Sequence, residues 1–386
     1  MKSRHQVEQI FEKTKGDRYI WLLVIALSLV SVLAVYSSTS ALAFKYQHGD
    51  TFYYVLKHFG IIALGFTMMF FIHKINYKYF SRVSQILLWI TIPLLIVTLF
   101  FGVEINDARR WITIPIINAS FQTSDLAKLA LIMFLARSLS KKQQTIKDFK
   151  TGFIPVMTPP LIVCALIAPS NLSTAAILFT TCLLLMFIGR INMKYIAAMI
   201  GAGVLVLGLI IFIALHSDFH ARVLSWERRL NEYLDKGSVS YQVEQSKIAI
   251  ARGGVVGVGP GNSVQRNFLP SPYSDFIFAV VIEEYGFAGG ALLVLAYIFF
   301  LYRCIRIFVK SPGAFGALLA VGLSFSLVIQ AIINMMVVVN LLPVTGVTLP
   351  LVSMGGTSLW FTSIAIGIIL SVSRNVDQEK NPDVIN

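Results

Sequence analysis

Ten apolar stretches, joined mostly by short polar connections, leave this chain few folds to choose from. They run Tyr19–Ala43, Tyr53–His73, Val83–Val103, Asp125–Leu139, Phe153–Ala168, Leu172–Ile188, Tyr195–Leu215, Asp275–Tyr302, Ala314–Val339 and Ser358–Ser373. Most approach the roughly 20 residues that carry an α-helix across a bilayer core. Hydrocarbon offers no partner for a backbone N–H or C=O, so segments of this kind close their hydrogen bonds within themselves as helices. The expected fold class is an all-α polytopic membrane protein of ten transmembrane helices. Composition agrees, with 56% hydrophobic and only 13% charged residues among 386. The ten helices would form one membrane domain, residues 19–373, between tails at 1–18 and 374–386.

Charge sets the expected orientation. With the N-terminus placed in the cytoplasm, the majority of the 32 lysines and arginines fall on that side, as the positive-inside rule requires. Both termini are then cytoplasmic, and the net charge of +13 reflects topology rather than a nucleic-acid partner. Met1–Arg18 is polar and basic, and the run after it is too long for a signal-peptide core, so the first helix is expected to stay. Cys164, Cys182 and Cys304 sit in or beside apolar runs and imply no disulfide framework.

One connection is long: residues 216–274, between the seventh and eighth helices, expected outside the cytoplasm. Within it RVLSWERRLNEYL places Val223, Trp226, Leu230 and Tyr233/Leu234 at helical spacing. That suits a helix lying on the membrane or packing on the loop itself. YQVEQSKIAIARGG follows as a second short helix ended by its glycines. GGVVGVGPGNSVQ lacks the Gly-Lys-Ser/Thr ending of a nucleotide P-loop; it reads as a flexible turn or as a nest of amides for an anion. His216 and His220 flank Asp218 with no third ligand evident, so a metal site is not expected there. The tail DQEKNPDVIN reads as disordered.

Ionisable groups at membrane depth need partners, because burying a charge in lipid costs at least ~2.5 kcal/mol. Asp275 is expected in the first turn of the eighth helix, either as a helix cap or as a reactive acid. Glu283 and Glu284, about two turns further in, suit a structural role inside the bundle. Arg109 and Arg110 precede Trp111 in an outer loop and could bind phosphate oxygens bidentately or meet lipid headgroups. Lys128, one turn inside the fourth helix, needs an acid or a phosphate. Gln330 and Asn334 are four apart and share a helix face, where amides often join helices. Leu341–Gly356 is broken by prolines and glycines, and irregular backbone at that depth lines a cavity or is buried in protein. A carboxylate, several cations and broken backbone thus collect at one face. The expected substrate is anionic, lipid-borne and reached from outside.

These segments, in order, resemble the SEDS family (shape, elongation, division, sporulation) of peptidoglycan glycosyltransferases. The resemblance runs from the first helix to the tenth through ARRWI at 108–112, DLAKLALI at 125–132, SYQVEQSKIAIARGGVVGVGPGNSVQRNFLP, SDFIFAVVIEEYGFAGG, QAIIN at 330–334 and LLPVTGVTLPLVSMGGTS at 341–358. The wording of QVEQS and GVGPGNSVQ is most similar to the division-associated branch. The resemblance implies polymerisation of lipid II, a disaccharide-pentapeptide on undecaprenyl pyrophosphate, at the outer leaflet of the bacterial cytoplasmic membrane and at the division septum. It implies Asp275 as the essential acid, and Arg109, Arg110, Lys128, Gln265, Arg266, Gln330, Asn334, Ser353 and Thr357 as substrate-binding candidates. Glu283, Glu284 and Asn171 would be supporting polar residues. No nucleotide is needed, a divalent cation such as Mg²⁺ could assist the leaving pyrophosphate, and no protein metal site is expected. The implied partners are a class B penicillin-binding protein and other membrane proteins of the division complex. Lipid II flipping, or scaffolding of a transpeptidase without catalysis, are the rival functions. The chain departs from the family pattern at Asn171, where an acid is usual, at Ser271-Pro272-Tyr273, at Arg266 and at Met354.

Overall fold

In a computed structural model, residues 16–46, 50–105, 108–114, 119–216 and 241–380 are described. The expected surface helix around Trp226, together with Asp218 and His220, lies outside the described residues.

Helices occupy all ten expected stretches. They are α1 (Arg18–Ser38), continued after Thr39 by the short α2 (Ser40–Tyr46), α3 (Thr51–Lys74), α4 (Phe80–Phe101), α5 (Thr123–Lys141), α6 (Ile154–Ile167), α7 (Leu172–Ile188) and α8 (Met193–His216). After the long connection come α9 (Tyr241–Gly253), α10 (Ile277–Lys310), α11 (Ala314–Val338) and α12 (Thr357–Lys380). Seven are long and apolar enough to cross a bilayer, namely α1, α3, α10, α11, α12, and α4 and α6 with the turns that lead into them. α7 is a shorter apolar helix, and α5 carries Asp125, Lys128, Arg137 and Lys141. Length and composition therefore support seven crossings among the described residues, where the sequence suggested ten.

Two sequence expectations need correction. The fold is not purely helical: β1 (Val103–Ile105), β2 (Ala108–Ile114) and β3 (Ala119–Gln122) form an antiparallel sheet in the order β1-β2-β3 between α4 and α5. ARRWITI alternates in a way that suits a strand, but its position between two apolar helices masked this. Of the tail DQEKNPDVIN, residues 377–380 continue α12, and the rest lies outside the described residues. Just before them Arg374 donates to the Lys74 carbonyl at 2.8 Å and Asn375 Nδ2 to Ser371 O at 3.1 Å.

α11 is the central element. Its apolar window is 72% buried, as is that of α12, against 22% for α3 and 28% for α4. Large side chains on the outer helices, such as Phe59, Phe71, Trp89 and Phe101, are exposed; an apolar surface of that extent suits lipid. α3 and α12 approach closely because Gly65 and Gly367 lack side chains: a Cβ at Gly65 would stand 2.6 Å from Ser363 Oγ, and one at Gly367 3.0 Å from Met69 O. Small residues serve this purpose in membrane helices, where close backbone contact replaces a hydrophobic driving force. At another point of the bundle, Asp17 caps α1 and receives Arg303 of α10 through Nη2 at 2.6 Å and Nε at 2.9 Å.

α10 is not one straight helix. Gly286, with φ 69° and ψ −171°, divides it into a piece buried at every residue but Tyr285, 277–285, and a longer one, 287–310. A Cβ on Gly290 would stand 2.9 Å from Ile282 Cγ1 and 3.6 Å from Phe278 Cζ. Twelve residues of straight helix would instead separate 278 from 290 by about 18 Å. The chain folds back at Gly286. The expected continuous span Asp275–Tyr302 is thus a helical hairpin, and Glu283 and Glu284 stand next to its bend, not deeper along a span.

Candidate functional site

Asp275 lies in the turn before α10, not in its first helical turn, and its side chain is half-buried. The N-cap position is Phe276, which makes no side-chain cap bond. Asp275 therefore stands one residue outside the cap position. Its backbone is held from several sides: Asn334 Nδ2 donates to Asp275 O at 2.7 Å, Ser353 Oγ to Ser274 O at 2.6 Å, and Met354 N–H to Tyr273 O at 2.9 Å. Ser353 and Met354 belong to the broken stretch that follows α11, and Asn334 reaches that stretch too, donating to Val347 O at 2.7 Å. Ser353 Oγ also accepts the Leu349 N–H at 2.8 Å. Buried backbone groups need partners, and here loop and turn satisfy each other. The broken stretch is anchored from behind by Ser31 Oγ, 2.7 Å from Val352 O and from His58 Nε2, and by the Tyr297 hydroxyl on Pro350 O. Asn334 is four residues from the end of α11, so Asp275 stands about 6 Å inside that end.

One turn along the same face of α11, Gln330 binds the lysine. Its Oε1 accepts from Lys128 Nζ at 3.1 Å, and its Nε2 donates to Thr348 O at 2.9 Å. Lys128 Nζ also pairs with Asp125 Oδ1 at 2.7 Å. The lysine's partner is thus an aspartate one turn away on its own helix. Asp125 is 4% exposed, and its second oxygen has no hydrogen-bond partner among the described residues. The pair lines a small open cavity of about 30 Å³ with Gln330, Ser326, Phe361 and Thr362. Asp125 was not singled out from the sequence; the i, i+3 spacing from Lys128 was the available signal.

The glutamates form a separate cluster at the hairpin bend. Glu283 accepts from Ser263 Oγ, from Val264 N–H at 3.0 Å and from Gln265 N–H at 3.2 Å, with Arg252 Nε 3.8 Å away. Glu284 accepts from Ser37 Oγ and from Ser263 N–H at 3.4 Å. Arg266 binds Ser37, through Oγ at 2.8 Å and O at 3.2 Å. Gln265 meets Glu283 through its backbone N–H, with its side-chain oxygen buried and without a hydrogen-bond partner among the described residues, and Arg266 reaches Ser37 through its guanidinium. The glycine-rich segment is a built turn rather than a flexible one. Val258 and Gly259 donate to the carbonyls of Glu283 and Glu284 at 3.0 Å each, while Phe287 and Ala288 donate to Gly254 and Val255 at 2.9 and 3.2 Å. The break at Gly286 frees these backbone groups, and the loop takes them up. The segment does form an anion nest, and the anions are the chain's own carboxylates.

The remaining candidates are spread out. Arg110, on β2, donates from Nε to Ser170 O at 2.8 Å and lines a second cavity with Thr98, Thr123 and Ser124. Arg109 is on β2 opposite Glu104 in register; its side chain lies outside the described residues. Asn171 caps α7, accepting from Thr174 N–H at 3.1 Å. Thr357 starts α12 and accepts from Gln122 N–H at 3.5 Å. No group of three His, Cys, Asp or Glu side chains among the described residues could hold a metal ion.

Asp275, Asn334, Ser353, Gln330, Lys128 and Asp125 are thus brought together along one face of α11. Residues 17–378 match the cell cycle protein family of FtsW, RodA and SpoVE. The stage V sporulation protein E of Bacillus subtilis is 35% identical over 367 residues, covering 94% of this chain and 98% of that protein. The probable peptidoglycan glycosyltransferase FtsW of Geobacter metallireducens is 37% identical over 371 residues, covering 95% and 96%. Among solved structures, a chain of a peptidoglycan synthase complex superposes with a TM-score of 0.74 at 24% identity, over 94% of this chain and 99% of that one. The rod shape determining protein RodA of Thermus thermophilus gives 0.69 at 22% identity, over 93% and 97%; these likenesses are of fold. Matched over nearly its whole length, the chain belongs to the FtsW, RodA and SpoVE family.

Proposed function

We propose that the protein is a peptidoglycan glycosyltransferase that polymerises lipid II at the outer face of the cytoplasmic membrane during cell division, with Asp275 as general base. The observation that carries this reading is the fixing of the turn around Asp275 by Asn334, Ser353 and Met354. The same face of α11 presents the Lys128–Asp125 cavity one helical turn away. Rigid support of this kind is what a reacting acid needs, since misplacement by about 1 Å can cost 10²-fold in rate.

In this mechanism the carboxylate of Asp275 takes the proton from the 4-hydroxyl of the acceptor's GlcNAc. The oxygen attacks the anomeric carbon of the donor, and the bond to the pyrophosphate lipid breaks. Arg109, Arg110 and Lys128 supply positive charge for the departing pyrophosphate, as preorganised electrostatic stabilisation. Lys128 can do so because Asp125 and Gln330 fix its ammonium at the cavity wall. Any divalent cation would come with the pyrophosphate. The activated donor supplies the driving force, so no nucleotide enters. FtsW-named glycosyltransferase relatives support the reaction class. The fold shared with a chain of a peptidoglycan synthase complex supports a class B penicillin-binding protein as partner.

Polymerisation and lipid II translocation, measured separately with Asp275→Asn, test the reading against a flippase. The proposal requires loss of polymer with translocation unchanged. Lost translocation with intact polymerisation would assign Asp275 to transport instead.

A further inference from the structure

Glu283 and Glu284 are 0% and 1% exposed, and neither lines the cavity at Lys128. They nevertheless collect donors from two distant parts of the chain. Ser263, Val264 and Gln265 converge on Glu283, while Ser37 of α1 and the Ser263 amide converge on Glu284. Backbone bonds between the glycine loop and both arms of the hairpin close the joint. The enclosed piece of α10, 277–285, leads from this joint to Phe276 and Asp275. Its residues are buried throughout except Tyr285, and nine residues of helix span about 13 Å. A short packed helix of this kind moves as a rod, so a shift at one end is carried to the other.

The joint is arranged around acceptors on both oxygens. Glu283 receives one hydroxyl and two amide hydrogens on its two oxygens. A glutamine of the same size keeps one acceptor oxygen for the two amides and turns its N–H₂ toward the Ser263 hydroxyl, which must then accept where it had donated.

We propose that Glu283 and Glu284 are positioning residues for glycosyl transfer: they clamp one end of helix 277–285 to the glycine loop and α1, and so set the place of Asp275 at its other end. The proposal rests on the reading of Asp275 as the base.

The test uses full-length protein reconstituted in lipid, with lipid II as substrate and rates referred to the folded fraction. Glu283→Gln is expected to lower kcat about 10- to 100-fold with KM within about threefold, the pattern of a displaced reacting group. Ser263→Ala removes one donor and keeps both acids; it is expected to lower kcat about threefold with KM unmoved. It decides the matter if Glu283→Gln does not fold. Asp275→Asn is measured alongside. If Asp275→Asn is inactive while both other variants keep wild-type kcat, the positioning role is overturned alone. A raised KM at wild-type kcat also overturns it, by making the loop a binding element. Retained activity in Asp275→Asn removes the catalytic reading first, and this proposal with it.

Discussion

Gly257→Ala should be far more damaging than Gly261→Ala, although both glycines belong to one loop and both hold left-handed backbone, at φ +92° and +78°. An alanine in that region costs about 1–2 kcal/mol wherever it occurs. At Gly261 that is the whole effect, because nothing lies within 4 Å of the added methyl. At Gly257 the methyl would fall well inside van der Waals distance of the Glu284 carbonyl oxygen and the Gly286 amide nitrogen. Neither can yield, since both are backbone of the hairpin bend. The loop must then lift, which breaks the bonds from Val258 and Gly259 to the carbonyls of Glu283 and Glu284. Buried groups left unpaired cost about 1–3 kcal/mol each. Gly257→Ala should therefore destabilise by about 3–8 kcal/mol in all, with the strain included. Equilibrium unfolding of the two variants in the same detergent measures the difference. Equal destabilisation of both would refute the docking of this loop on the bend.

Two further outcomes follow from the polar groups inside the bundle. Lys128→Met leaves Asp125 buried without its cation and should cost about 3–5 kcal/mol; adding Asp125→Asn should recover most of it, as a double-mutant cycle of unfolding free energies would show. Asn171→Ala removes the cap of α7 and should cost about 1 kcal/mol, measurable by the same unfolding assay, with polymerisation left near the wild-type rate.

The helices were legible because apolar runs of membrane length have one way to satisfy their backbone, and every expected stretch is helical. The sheet was hidden, since seven residues of ARRWITI between two long helices carry too little pattern to outweigh their neighbours. The hairpin at Gly286 was hidden for a different reason. Glycines in an apolar run are ordinary in membrane helices, and only the loop that packs on Gly286, some thirty residues earlier, marks it as a bend. At the site, Asp275, Lys128, Gln330 and Asn334 could be picked out as polar groups where polar groups are costly. What could not be read is which of them touch. Lys128 needs an acid or a phosphate, and only packing shows that Asp125 fills that place. Nor could the motif show that the Gln265 amide and the Arg266 guanidinium meet Glu283 and Ser37.

The central claim is that the carboxylate at 275 takes a proton during glycosyl transfer. It is tested most directly by the initial rate of glycan formation from purified lipid II, comparing wild type with Asp275→Asn at equal folded concentration. Asparagine keeps the size of the side chain and leaves the backbone bonds from Asn334 and Ser353 in place. The account predicts a fall of about 10²–10⁴ in kcat with an unchanged unfolding midpoint. Glycan strands made by Asp275→Asn at close to the wild-type rate would contradict it.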